Sequence, residues 1–597
     1  MACDGDNKLN CQSVIMRDFH INMIFNILVL ALLTISGCRK DEQNTLLVTP
    51  DKIDFNKEGS TASMNIETDA DTWSIDNPAS AWLVLSSTRG TLKTALVSMR
   101  VSTKTIEPRY DTLTVFAGDA NPVKVFVSQP SSDYLYSLSA SVKSLSFKRS
   151  GNSVTMKITT DASQWNLSHD TGWLEFSQIT GEKGSTDIVI TAAENKDSAQ
   201  RTAVVTINAD YAPAVQIAVT QHGEYYPNYN TSPKEPDATG MNSTAAELAA
   251  KINLGWNLGN SLEAIGGETA WGNPAVTKAL IDLVKQSGFN AIRIPCSWNQ
   301  YMASTTTALL KTDWLDRVKT VVSYCVDNDM YVLLNIHWDG GWLENNCTVE
   351  KQEETNAKQK AFWEQIAKNL RDFDEHLLFA GANEPNVDNA TEMAVLKSYH
   401  QTFIDAVRST GGKNAYRILV IQGPSTDIEQ TSKLMLSLPE DNIPNRLMVE
   451  IHYYTPWNFC GLTEDASWGS MFYYWGNGYH SETDPDRNAT WGEEATVNAN
   501  FQMMKTQFAD KGIPVVLGEY SVTRRSNLTG EALTNHLASR AYYLEYVTMK
   551  AKASGIIPFY WDNGGTGIYG SGIFNRRNNT ISDQQALDAL SEGAAAQ

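Results

Sequence analysis

From residue 43 to residue 222, apolar and polar positions alternate along short runs, as in Lys124-Val-Phe-Val-Ser and Thr202-Ala-Val-Val-Thr-Ile. Successive side chains on a strand point to opposite faces. Period-two runs between Asp-, Asn- and Gly-rich turns therefore predict antiparallel strands with one buried face. The pattern occurs twice. Residues 69–83 read DADTWSIDNPASAWL and residues 161–174 read DASQWNLSHDTGWL, while RYDTLTVFAGDANPVKVFVSQ (109–129) parallels RTAVVTINADYAPAVQIAVTQ (201–221). Trp73 and Trp165, Arg109 and Arg201, and Gln129 and Gln221 are each 92 positions apart, and Trp82 and Trp173 are 91 apart. Register kept over that span means two copies of one module, predicted as all-β, immunoglobulin-like sandwiches over 43–131 and 134–222. The recurring tryptophans are expected in the sandwich cores rather than on a binding platform.

Residues 223–242 (GEYYPNYNTSPKEPDATGMN) lose all periodicity and read as a linker. Over 243–597 the texture changes again. Apolar runs rich in Val, Ile and Leu begin at Ile252, Asn290, Met330, His376, Arg417, Leu447, Ile513 and Gly555. Stretches of helical period separate them, for example 313–327, 355–373 and 530–549. Eight buried strands alternating with helices predict an α/β fold, the (β/α)8 TIM barrel with enlarged loops, with a doubly wound open sheet as the alternative.

The amino terminus carries a different signal. Met23 to Ile35 is an apolar run of 13 residues, too short to span a bilayer and suited to the hydrophobic region of a secretory signal. It ends in Ile35-Ser36-Gly37-Cys38, which resembles a bacterial lipobox. Residues 1–37 are thus expected to be a lipoprotein signal peptide and Cys38 the lipidated residue, anchoring the protein to the cell envelope through lipid alone, with the outer-membrane surface as the expected location. Met16 is an alternative start. Behind that point stand Cys296, Cys325, Cys347 and Cys460, without any C-x-x-C pair, so a zinc cluster is not expected and a disulfide pairing stays open.

Charge and composition narrow the chemistry. Asp and Glu outnumber Lys and Arg 68 to 48, a net charge of -20, with no basic patch and no phosphate-binding loop, so nucleic acid is not an expected partner. Sixteen Trp and 23 Tyr suit a cleft where aromatic faces stack on sugar rings. In a parallel barrel the carboxyl ends of the strands face the active-site mouth. Here the runs end in Arg293, His337, Asn383 with Glu384, His452 with Tyr454, Glu519 and Trp561. Two carboxylates there are the minimal kit for glycoside hydrolysis: one protonates the leaving oxygen and the other, ionised, attacks the anomeric carbon. Asn383 is placed to bond the sugar 2-hydroxyl, and Arg293 and Tyr454 are the natural donors to hold Glu519 ionised.

These residues carry a family resemblance. Residues 243–592 resemble glycoside hydrolase family 5 in Leu254-Gly-Trp-Asn-Leu-Gly-Asn260, Ile292-Arg-Ile-Pro295, Asn335-Ile-His-Trp-Asp339, Ala382-Asn-Glu-Pro385, Glu450-Ile-His-Tyr-Tyr454, Leu517-Gly-Glu-Tyr520 and Phe559-Tyr-Trp-Asp562. The resemblance implies Glu384 as acid/base, Glu519 as nucleophile and retention of anomeric configuration. It places Arg293, His337, Asn383, His452, Tyr454 and Trp561 at the family's other site positions. Asn260 and Glu268-Thr-Ala-Trp-Gly-Asn-Pro274, with Trp271, look most like the endoglucanase and xyloglucanase branch. Trp338 departs from it, standing where many such relatives carry a second histidine. Further cleft aromatics are sought at Trp298, Trp342, Trp457 and Trp475. The two repeats resemble the BACON domain, whose name proposes glycan binding but which is expected here as a spacer or scaffold.

The expected activity is endo-acting hydrolysis of a β-1,4-glucan (cellulose, mixed-linkage glucan or xyloglucan) by a monomer whose partner is its polysaccharide or oligosaccharide substrate, with no cofactor implied. A β-mannanase on the same scaffold is the near alternative. The distant alternatives are a metal-dependent hydrolase using His337, Asp339 and His452, and a surface glycan-binding protein with an inactive barrel.

Overall fold

The computed structural model describes residues 43–57, 59–101, 107–131, 136–197 and 199–596; the signal segment and Cys38 lie outside them. The first repeat is a sandwich of two sheets. One has strands Leu46–Thr49, Thr61–Thr68, Thr94–Val101 and Leu83–Leu85 in spatial order; the other has Lys52–Asp54, Val123–Gln129, Arg109–Ala117, Trp73–Asp76 and Arg89–Gly90. Met64, Ile66, Trp73, Val97, Leu113 and Val125 fill the space between them, the inward positions of the alternating pattern. In the second repeat the chain does not break between sheets. Ser153–His169 runs on as one strand through a bulge between Thr160 and Gln164, paired with Thr180–Ala192.

The 92-residue echo has physical causes visible in both copies. Trp73 and Trp165 are buried. Each lies against a glycine, Gly90 and Gly181, where a Cβ would come within about 2.4–2.5 Å of the ring, so no other residue fits there. Trp82 and Trp173 are only half-buried. They lie beneath the guanidinium groups of Arg109 and Arg201, at 5.0 and 4.5 Å. The same arginines donate through Nε to Gln129 and Gln221, each at 2.8 Å.

The carboxy-terminal region is a closed parallel barrel of eight strands, numbered here β1 (Gly255–Leu258), β2 (Ala291–Ile294), β3 (Tyr331–Asn335), β4 (Leu377–Ala380), β5 (Leu419–Gln422), β6 (Leu447–His452), β7 (Val515–Tyr520) and β8 (Ile556–Asp562). β1 pairs with β8, which closes the ring and excludes the open sheet. Every residue of β1, β2, β4 and β5 is buried: strands covered on both faces read as continuous apolar runs. Register irregularities fall between Ile451 and His452 in β6, and between Leu517 and Tyr520 in β7. Such irregularities re-aim side chains, and these two sit where His452 and Glu519 emerge.

The segment expected as a linker does not hang free. Tyr226 and Tyr229 pack on the barrel core, the Tyr229 hydroxyl donates to the Thr307 carbonyl at 2.7 Å, and Lys234–Pro236 pairs in parallel with Gly411–Gly412. The second sandwich also meets the barrel: Lys148 Nζ donates to the Val349 carbonyl at 2.7 Å and the Ser150 amide to Glu353 Oε1 at 2.8 Å. Cys296, Cys325, Cys347 and Cys460 are all free thiols in the core, so none of them forms a disulfide.

Candidate active site

The sequence-predicted residues converge at the mouth around Arg293, which β2 delivers fully buried. Its guanidinium reaches four groups, three on other strands and one just past the end of β4. Nη1 donates to Asn257 Oδ1 (3.0 Å) and to Glu519 Oε1 (2.8 Å), Nη2 donates to Asn383 Oδ1 (2.8 Å), and Nε pairs with Glu450 Oε1 (2.8 Å). The Tyr454 hydroxyl donates to the other Glu519 oxygen at 2.9 Å. Both donors that the sequence suggested for Glu519 are therefore in place.

His452 stands between the carboxylates. Its Nδ1 is 2.6 Å from Glu384 Oε1 and 3.7 Å from Glu519 Oε2, and its Nε2 is 3.3 Å from Glu450 Oε1. Glu384, His452 and Glu519 each bring one polar atom within 4.8 Å of the others. Burial works against charge on the imidazole, yet the Glu519 charge and the bonds to Glu384 and Glu450 prevail and push His452 up to about 9. It is a cation at neutral pH. Burial also drives the Glu519 carboxyl above the usual range, further than His452 and Arg293 draw it down. At Glu384 the same burial is outweighed by the His452 hydrogen bond and charge and by Arg293, leaving it below that range. The two carboxyls and the imidazole between them titrate as one system.

The mouth also carries a pair of stacked rings. His337 stacks parallel to Trp561 with centroids 5.8 Å apart. Burial, then the charges of Arg293 and His452, hold His337 well below its ordinary value, so it is neutral. Trp338 beside it is 44% exposed. Asn260 has φ +55° and accepts from Asn273 Nδ2 at 2.8 Å through its carbonyl. Trp271, in the loop after β1, is 46% exposed and Trp457 is 47% exposed, its ring 5.9 Å from that of Tyr454.

Two of the cleft aromatics sought in the sequence are not in the cleft. Trp298 and Trp475 are fully buried, their indole N–H groups spent on the Asn335 and Gly492 carbonyls at 3.1 and 2.9 Å. Trp342 is half-buried under the Lys358 ammonium at 4.9 Å and donates to Asp339. Asp339 is committed elsewhere as well: it accepts from Ser297 at 2.6 Å and from the Asn299 amide. It is thus a loop organiser and not a partner of His337 and His452 in metal binding.

Two acidic residues to which the sequence reading gave no role belong to the site. Glu450 has Gln422 Nε2 on its other oxygen at 2.6 Å and lies over Gly518, where a Cβ would come within 2.0 Å of Glu450 Oε1. Glu344, in the loop after β3, accepts the backbone N–H of Glu384 at 2.7 Å. Burial pushes its carboxyl up to about 7.

A closed eight-stranded parallel barrel that brings two carboxylates within 4.8 Å at its mouth, with the stacked His337 and Trp561 and exposed tryptophans nearby, carries the equipment of a glycoside hydrolase. Residues 257–567 match the family described as cellulase, glycosyl hydrolase family 5, and the chain belongs to that family. Residues 149–222 match the BACON family, described as a putative N-terminal binding domain, and residues 45–131 match the viral BACON domain. A xyloglucan-specific endo-β-1,4-glucanase of Bacteroides ovatus is 35% identical over 468 residues, covering 76% of this chain and 90% of that protein. Endoglucanase A of Paenibacillus barcinonensis is 36% identical over 376 residues, covering 59% and 90%. The solved structure of a Bacteroides ovatus family 5 xyloglucanase with a XXXG heptasaccharide aligns at TM-score 0.57 and 33% identity, over 76% of this chain and 99% of that one. A xyloglucan-specific β-1,4-glucanase from a ruminal metagenomic library, in complex with XXLG, aligns at TM-score 0.56 and 38% identity, over 59% and 97%.

Proposed function

We propose that this protein is an endo-acting, retaining hydrolase of β-1,4-glucan backbones, with xyloglucan as the first substrate to test. The observation that carries the reading is the spacing of Glu384 and Glu519, one oxygen of each lying within 4.8 Å of the other, with His452 between. Retaining glycosidases hold their carboxyls about 5–5.5 Å apart, whereas inverting ones leave about 6.5–9.5 Å for a water. The relatives named for xyloglucan support the choice of substrate, and the exposed Trp271, Trp338 and Trp457 give sugar faces something to stack on.

In the first step Glu519 Oε attacks the anomeric carbon while the glycosidic C–O bond breaks. The departing oxygen takes a proton from Glu384, which in turn draws on the His452 Nδ1–H 2.6 Å away. Arg293 and Tyr454 fix Glu519 in line. Once Glu519 is an ester, its negative charge is gone, and the Glu384 carboxyl falls further because a like charge has left. Glu384 is then the base that takes a proton from water as the water attacks the anomeric carbon and frees Glu519.

The test is the configuration of the first product, followed by NMR before mutarotation, on a panel of xyloglucan, mixed-linkage glucan, cellulose and mannan. Retention is expected; an inverted first product overturns Glu519 as nucleophile, and preferred turnover of mannan overturns the substrate class. Glu519→Ala should lose turnover and regain some with added azide, giving inverted glycosyl azide.

A further inference from the structure

The five charged groups at the mouth do not balance. Glu384, Glu450 and Glu519 oppose Arg293 and His452, so the cluster has one negative charge more than it has cations when His452 is protonated. Glu384 and Glu519 alone would be neutralised by the two cations, leaving little electrostatic reason to retain a transferable proton. The excess comes from Glu450, whose side chain is fully buried and outside the reach of substrate.

We infer that Glu450 is a positioning residue that keeps the catalytic proton in the Glu384–His452 pair. The inference rests on the reading of Glu384 as acid/base. Glu450 and Glu384 take opposite nitrogens of one imidazole, at 3.3 and 2.6 Å. An anion at Nε2 holds the ring charged and aimed, so that the proton on Nδ1 stays at Glu384 Oε1. The same Glu450 oxygen meets Arg293 Nε at 2.8 Å, which fixes the guanidinium that orients Glu519 and Asn383. The fold provides for Glu450 from outside the cluster. Gln422 on β5 donates to its second oxygen at 2.6 Å and is itself held by the Ala382 amide at 2.9 Å. Gly518 on β7 leaves the space that its carboxylate occupies.

Every titratable or charged group facing this network bears on the direction. From β2 comes Arg293, from the end of β3 the neutral His337, from the loop after β3 Glu344, from the end of β4 Glu384, from β6 and its end Glu450, His452 and Tyr454, and from β7 Glu519. Removing the Glu450 charge leaves two carboxylates for two cations. The Glu384–His452 pair then gives up its proton at lower pH, because a like charge that favoured protonation is gone.

The test compares kcat/KM against pH for the full-length enzyme, Glu450→Gln and Glu450→Asp. The substrates are a soluble β-1,4-glucan oligosaccharide, whose leaving group needs protonation, and its dinitrophenyl glycoside, which does not. For Glu450→Gln the alkaline limb on the oligosaccharide should move down by about one pH unit or more, roughly a tenfold further loss at high pH, while any loss on the dinitrophenyl glycoside, which reads the Arg293–Glu519 contact and not the proton, should be the same across that limb. Glu450→Asp, which keeps the charge, should hold the limb within about 0.3 of its place. Equal losses on both substrates with the limb unmoved, or a limb that moves as far in the Asp variant, would overturn the inference. Should thermal unfolding show that Glu450→Gln does not fold, the position of the limb in Glu450→Asp decides. Glu384→Ala separates the underlying reading: if it loses both substrates equally, the acid/base assignment fails, whatever Glu450 does.

Discussion

Glu344 allows the support beneath the catalytic pair to be measured. Its carboxyl is 5% exposed and accepts the Glu384 amide hydrogen at 2.7 Å. Burial raises it from an ordinary 4.5 to about 7, against hydrogen bonds from the Glu384 amide and Asn383 and with help from the Glu384 and Glu519 charges. Between those pH values the folded protein keeps a proton that the unfolded chain releases. The group's stabilising contribution is therefore complete below about pH 4.5 and is lost as pH rises through 7. At 1.36 kcal/mol per pH unit the loss is about 3 kcal/mol. Glu344→Gln retains an acceptor oxygen and the shape but cannot titrate. The stability of the unmutated protein relative to Glu344→Gln should fall by about 3 kcal/mol between pH 4.5 and pH 8, read from urea unfolding of the barrel by tryptophan fluorescence. Glu344→Leu should lower kcat more than it raises KM, because the Glu384 amide is left unpaired at a cost of about 1–3 kcal/mol. A difference between the unmutated protein and Glu344→Gln that stays flat across this pH range would refute the reasoning.

A chain starting at residue 243 should unfold at about 2–4 kcal/mol less than one starting at 223, since only the longer one keeps Tyr226 and Tyr229 on the barrel core; equal urea midpoints would sink this. The chain starting at 223 should still hydrolyse soluble oligosaccharide at nearly the full rate, because the barrel has its own core, and a large loss of rate would show that the second sandwich completes the active site. Gly518→Ala should give inactive or insoluble protein, a soluble variant with normal kcat/KM being the contrary result, because its methyl meets Glu450 Oε1 at 2.0 Å. If Cys38 is the lipidated residue, Cys38→Ala should move the protein from the membrane to the soluble fraction or stall its processing, and recovery of the unmutated protein in detergent-free supernatant would count against the anchor.

The barrel was legible because its strands are buried on both faces and so stand out as unbroken apolar runs, ended by the polar residues that form the mouth. Glu450 was equally legible in principle. It precedes His452 by two residues on β6, and a period of two puts both on the inward face; lying within the strand, it falls outside the rule that looks for site residues at strand ends. Glu344 was not legible, since it lies in a loop with no period to read. Trp298 and Trp475 were misplaced for a related reason. Sequence puts an aromatic in an enlarged loop, but only packing decides whether that loop folds over it. Residues 223–242 failed in the other direction: their composition is that of a tether, while their tyrosines and backbone find fixed partners on the barrel.

The close approach of Gly518 to Glu450 also constrains how this site can change. A glycine within a strand usually carries an entropic cost of about 0.5–1 kcal/mol relative to alanine and invites replacement. Here alanine cannot enter while Glu450 stays, and Glu450 cannot give up its carboxylate without leaving Arg293 Nε and His452 Nε2 with no anion to face. Each position blocks the other's first step. Sequence drift or directed evolution that proceeds one substitution at a time is therefore stopped at this pair, and a library that aims to reshape the floor of the site has to vary 450 and 518 together.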